Sequence, residues 1–148
     1  MVLGLAAEDY TMGEVRVKVV LTNAAELAMV RRKLLKPSKV HRMKVDALVD
    51  AGAVSLVLPP AVADRLGLAR PYKHVTECAD GRLDEVGVTE SVLVELEGRS
   101  TESEALVLGN EVIIGQTVLA MTDLHVDCTG RQVLPNPAHP DQPVVKVK

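Results

Sequence analysis

The chain has 148 residues, one domain's worth, and a domain of that size buries roughly 70% of its unfolded surface, enough for a full core. Hydrophobic residues make up 47%, yet Phe and Trp are absent and Tyr10 and Tyr72 are the only aromatics, which excludes an aromatic platform for stacking bases. A net charge of −3 argues against a nucleic-acid partner, since neutralising phosphates takes a basic face.

Residues 1–13 carry no periodicity and are expected to form a flexible N-terminal segment. A single domain is expected over 14–136. It opens with Val15, Val17 and Val19 alternating with Glu14, Arg16 and Lys18, the period-2 pattern of a half-buried strand. Asn23 is suited to cap a helix. Leu27, Val30, Leu34 and Leu35 then share one helical face, and Pro37 should end it. Arg31–Lys33 read as a solvated helix face, with a basic docking patch as the rival reading. Met43–Val49 and Val54–Leu58 are apolar enough for buried strands, with Asp50, Ala51 and Gly52 between them. Pro59 and Pro60 suit the first turn of a short helix through Leu66, and Gly67 suits its end. Val75–Cys78 and Leu83–Val88 flank Ala79-Asp80-Gly81-Arg82, and an Asp-Gly pair between strands signals a hairpin. Val92–Leu96, Ala105–Leu108 and Val112–Ile114 read as further strands, and Gly98 ends the first of them. Gln116–Thr122 can make one or two helical turns. Leu124–Cys128 and Arg131–Leu134 follow as a hairpin about Thr129-Gly130. Four prolines between Pro135 and Pro143 predict an extended, polyproline-like tail over 137–148. About eight short strands and three short helices make a mostly-β fold.

Cys78 and Cys128 belong to no CxxC pair, and His41, His74, His125 and His139 show no HxxxH or HxxH spacing, so neither a metal nor another cofactor is expected. Two lone thiols fit a reducing compartment. The N-terminus lacks a basic region followed by an apolar core, and no apolar run approaches the roughly 20 residues of a spanning helix. The expectation is a cytoplasmic protein with no membrane partner.

One acid stands out. Asp50 ends the apolar run Ala47-Leu48-Val49, and Gly52 permits a tight turn behind it. A carboxylate in such surroundings must be paired, protonated or functional, because burying a bare charge is costly. Asp-x-Gly after a strand is by itself compatible with a plain Asx-type turn. The wider pattern resembles the retropepsin-like aspartic proteases, and most closely the small single-domain bacterial type. Leu48-Val49-Asp50-Ala51-Gly52-Ala53 resembles the family's apolar-apolar-Asp-(Thr/Ser)-Gly-Ala. The hairpin at Ala79–Arg82 has the place of the family's flap. Ile113-Ile114-Gly115 before Gln116–Thr122 has the place of its apolar-apolar-Gly and short helix. The resemblance runs from about Glu14 to Asn136.

The resemblance implies a barrel-like protease half that assembles as a homodimer. It implies Asp50 as the catalytic residue, on a loop of Ala51, Gly52 and Ala53, activating water to hydrolyse a peptide bond. Ala79, Asp80, Gly81 and Arg82 would fold over an extended peptide or protein substrate, and Ile113, Ile114 and Gly115 would back the aspartate loop. The physics agrees with half a site: two carboxylates about 3 Å apart cannot both ionise and must share a proton. A chain with one such Asp therefore needs a second copy. Ala51 departs from the family's Thr or Ser, whose hydroxyl bonds across the dimer axis. Losing it weakens positioning without removing the base, so the resemblance implies either an impaired endopeptidase or an inactive peptide-binding or scaffold protein on the same fold.

Overall fold

The alternating valines form a strand in the computed structural model, which describes residues 14–147; the expected flexible segment 1–13 lies outside the described residues. In β1 (Val15–Asn23), Val15, Val17, Val19 and Leu21 all face inward and none is more than 5% exposed. β1 pairs antiparallel with β2 (Arg42–Val49) over eight residues, from Val15 opposite Val49 to Thr22 opposite Arg42. Between these strands lie helix α1 (Ala24–Arg31) and a 3-10 turn over Pro37–Lys39.

Seven more strands complete one sheet. They are β3 (Leu56–Leu58), β4 (Tyr72–Glu77), β5 (Leu83–Val88), β6 (Val92–Leu96), β7 (Arg99–Ser103), β8 (Ala105–Val107) and β9 (Ile113–Ile114). The order is β4-β5-β8-β3-β9-β2-β1-β6-β7. Helices α2 (Pro60–Arg65) and α3 (Gln116–Thr122) connect strands, and β10 (Leu124–Asp127) with β11 (Gln132–Pro135) makes a separate antiparallel hairpin. The fold is mostly β.

With no Phe or Trp available, branched aliphatic side chains fill the interior. Val19, Leu21, Leu56, Leu58, Ile114 and Val118 are at most 1% exposed. Each such side chain contributes about 1.5–3 kcal/mol relative to exposure. Among the described residues, no helix is long and apolar enough to cross a membrane.

Three elements differ from expectation. Asn23 caps α1 as expected, its side chain accepting the Glu26 N–H at 3.1 Å, but the helix stops at Arg31 instead of running to Pro37. Lys33 takes a left-handed conformation (φ 62), and the N–H groups of Lys33 and Leu34 donate to the carbonyls of Val30 and Met29. That is a Schellman cap made with lysine where glycine is usual. The strand expected from Val54 begins only at Leu56, because the carbonyls of Ala53 and Val54 serve α3 instead of a ladder. β7 was not expected at all. Glu97 and Gly98, both at positive φ, form a two-residue turn that sends the polar sequence Arg99–Ser103 back along β6 as an edge strand.

Candidate active site

Asp50 stands where β2 leaves the sheet. Its N–H donates to the Ile114 carbonyl at 3.0 Å, and the Asp50 carbonyl accepts the Ala53 N–H at 3.0 Å, closing a tight turn. The carboxylate oxygen Oδ1 accepts the Gly52 N–H at 2.9 Å. A Cβ on Gly52 would lie 3.1 Å from that oxygen, so glycine leaves the carboxylate room.

The loop is fastened from behind. β9 lies between β2 and β3: Leu48 and Val49 pair parallel with Ile113 and Ile114, and Val57 pairs antiparallel with Ile113. Both sides of the Asp50 loop are thus anchored to one short strand. The chain then passes Gly115 into α3. No side chain caps this helix, and its first N–H groups need partners. They find them in the loop. Gln116 N–H donates to Ala53 O at 2.7 Å, and Thr117 donates to Val54 O through its N–H at 3.0 Å and its hydroxyl at 2.8 Å. Gly115 is required by close approach, since a Cβ there would fall 2.4 Å from Ser55 O and 2.8 Å from Ala53 O.

The front of the loop is open. The burial expected of Asp50 from its apolar flank is not found, because the strand ends before it: Asp50, Ala51 and Gly52 are exposed, and Val54 is 72% exposed. Asp50 is thus accessible, with exposed apolar residues next to it in the loop. On the neighbouring strand, Arg16 ties β1 to the approach of β9: it pairs with Glu111 and Glu14, which hold its guanidinium charged, and reaches Asp46 at 3.6 Å.

Of the residues singled out by sequence, Asp50, Ala51, Gly52 and Ala53 come together with Ile113, Ile114 and Gly115. Ala79, Asp80, Gly81 and Arg82 lie elsewhere, at the tip of the β4–β5 hairpin, where all four are exposed. Cys78 N–H donates to Arg82 O and Gly81 N–H to Cys78 O, both at 2.8 Å, with Gly81 at φ 85. Asp80 Oδ1 accepts the Arg82 N–H at 2.9 Å. β5 joins the rest of the sheet only at Gly87 and Val88, so the outer hairpin stands clear, with Val75 and Leu83 about two-thirds exposed. No hydrogen bond joins residues 79–82 to the Asp50 loop among the described residues.

Thr117 was missed by sequence reading. Its double attachment to Val54 has no sequence signal beyond its place in the first turn after Gly115. Among the described residues, no three His, Cys, Asp or Glu side chains are grouped to hold a metal ion, and Cys78 and Cys128 are free thiols.

No protein-family model and no curated protein matches this chain. Among solved structures, the chain is similar to an EIAV protease complexed with the inhibitor HBY-793. The two are 28% identical, with a TM-score of 0.45, over 51% of this chain and 74% of that one.

Proposed function

We propose that this chain supplies half of a retropepsin-like aspartic endopeptidase site, completed by a second copy of itself. The observation that carries this reading is the Asp50 loop: a carboxylate at a strand end, locked from behind by Ile114 and the Gly115–Thr117 strap, and open in front. A purely structural Asx turn needs the Gly52 N–H contact. It does not need the exposed apolar residues Ala51 and Val54, which a partner copy would cover.

In the dimer the two Asp50 carboxylates share one proton. The ionised one draws a proton from a water as it attacks the peptide carbonyl, and the protonated one donates to the carbonyl oxygen. The rigid strap supports this chemistry because small misplacements of reacting groups are expensive. The β4–β5 hairpin would close over an extended peptide, pairing with it as an added strand. Its exposed Val75 and Leu83 offer apolar cover.

Ala51 favours a second reading, a protease fold that binds peptides without turning them over. The test is peptide turnover by the dimer against Asp50→Asn. Loss of turnover with unchanged fold and retained peptide binding supports the endopeptidase. Binding without turnover in the unsubstituted protein supports the second reading, and turnover that survives Asp50→Asn overturns the assignment of Asp50.

A further inference from the structure

Residues 27–45 carry seven of the chain's 17 Lys and Arg and none of its 20 Asp and Glu, in a molecule whose net charge is −3. Arg31 and Arg32 close α1, Lys33 forms its left-handed cap, and Lys36 and Lys39 flank Pro37 and Ser38. All five are exposed. Elsewhere, Arg16, Arg70, Lys73 and Arg82 each pair with a carboxylate, whereas none of these seven does among the described residues. Unpaired charges of one sign, gathered in one stretch of chain, make a field that attracts anions.

Charge alone would describe a solvated face. Here apolar surface lies inside it. Leu34 is 69% exposed in the middle of the cluster. Beside it run two adjoining depressions of about 420 and 230 Å³, which share Val30 and Pro37. Leu35 and Val40 extend this apolar floor, and Lys33, Lys36 and Arg42 stand along it. The early end of α1 creates the groove. A helix continued to Pro37 would have kept Leu34 and Leu35 on the same face as the half-buried Leu27 and Val30.

We propose that this groove docks an acidic, extended protein segment carrying one or two apolar side chains. The positive rim selects the acidic residues, and the apolar floor takes the side chains between them. Each depression is large enough to admit an apolar side chain. A membrane surface would instead be met by a broad set of protruding apolar groups, and here, of the large hydrophobics, only Leu34 and, less so, Met29 are exposed. A nucleic acid would meet the cations but leave the apolar floor unused, with no aromatic to stack on. Arg42 opens β2 and Asp50 follows its end, which puts the groove about 25 Å from Asp50 along an extended strand. Docking there is separate from the proposed peptide cleft and does not depend on it.

The probe is a fluorescein-labelled octapeptide of acidic residues around a central Leu-Leu pair, titrated by anisotropy at low and physiological salt. Binding should weaken as salt rises, fall about tenfold in Lys36→Glu/Lys39→Glu, and fall about threefold when Ser-Ser replaces Leu-Leu in the peptide. In the unsubstituted protein, amide shifts on peptide addition should centre on residues 27–42, a readout that no folding defect of a variant can produce. Affinity weaker than about 1 mM, shifts centred elsewhere, or indifference to both the charge reversal and the Leu-Leu pair overturns the proposal. So does tighter binding to phosphatidylserine vesicles or to duplex DNA at the same salt, which would assign the patch to that surface instead.

Discussion

The carbonyl oxygens of Ser55 and Ala53 close on Gly115 so tightly that even one methyl group has nowhere to go. Backbone cannot rotate aside as a side chain can, so Gly115→Ala must push β9 and the Asp50 loop apart. It should destabilise the fold by about 1–3 kcal/mol, the range of an overpacked core, as read by urea unfolding. An unchanged midpoint would show that the loop is not held by the strap. Gly52→Ala is the contrasting case. Its new Cβ meets Asp50 Oδ1 at 3.1 Å, a carboxylate oxygen that can turn away. Stability should then change by less than about 1 kcal/mol, while any peptide turnover falls further, because the carboxylate itself has moved. The two glycines, Gly52 within the Asp50 loop and Gly115 behind it, thus separate chemistry from packing.

The end of α3 shows how an element can be fixed by a segment remote in sequence. Asp123 takes a left-handed conformation (φ 53) there and accepts from Asn136 Nδ2 at 2.9 Å, His139 Nδ1 at 2.7 Å and Val144 N–H at 3.0 Å. Arg99, 8% exposed on β7, donates to the carbonyls of Thr122, Asp123 and His139. Together they strap residues 136–144 onto the body. The Asn136 amide, then the Val144 N–H and His139, hold the Asp123 carboxyl down at about 2, against an ordinary 3.8. A depressed carboxyl contributes stability that is present above its unfolded value and lost as pH falls through its folded one. Acidification from pH 4 to 2 should therefore loosen this strap. Asp123→Asn should flatten that limb of the stability profile, measured by urea unfolding at each pH; an identical slope in both proteins would remove Asp123 from the account. Nothing in the local sequence announced this network, because its partners are polar, scattered and joined only by the fold. β7 was hidden for a related reason: its inward residue is Arg99, so apolar alternation is absent, although Glu97-Gly98 was a readable turn. By contrast β1, α3 and the Asp-Gly hairpin were legible, since each is set by its own periodicity or turn chemistry. The early stop of α1 was not, because a lysine took the left-handed cap that sequence reading reserves for glycine.

At the scale of the whole molecule, one chain supplies one Asp50 carboxylate, and the proposed chemistry needs two. A homodimer with its two-fold axis between the Asp50 side chains would cover Ala51 and Val54 on both copies, and sedimentation should show dimer at high micromolar concentration, at mildly acidic and neutral pH. Ala51 should make that dimer weak, since alanine offers no group to reach across the axis. Ala51→Thr then tests the arrangement directly. A hydroxyl on each copy adds a pair of hydrogen bonds, at about 0.5–1.5 kcal/mol apiece, so the dimer should tighten by about 1–3 kcal/mol. Turnover should rise at least as much, because the carboxylates would be held nearer working geometry. The opposite result has an equally physical cause. If the loops have packed around the small methyl of Ala51, a threonine would crowd the axis, and overpacking would weaken the dimer. Titrating dimer dissociation and peptide turnover in both proteins separates the two. A tighter, faster threonine variant identifies position 51 as a lost hydroxyl of a protease. A weaker dimer with no gain in turnover favours a fold that has settled around alanine and kept the cleft for binding alone.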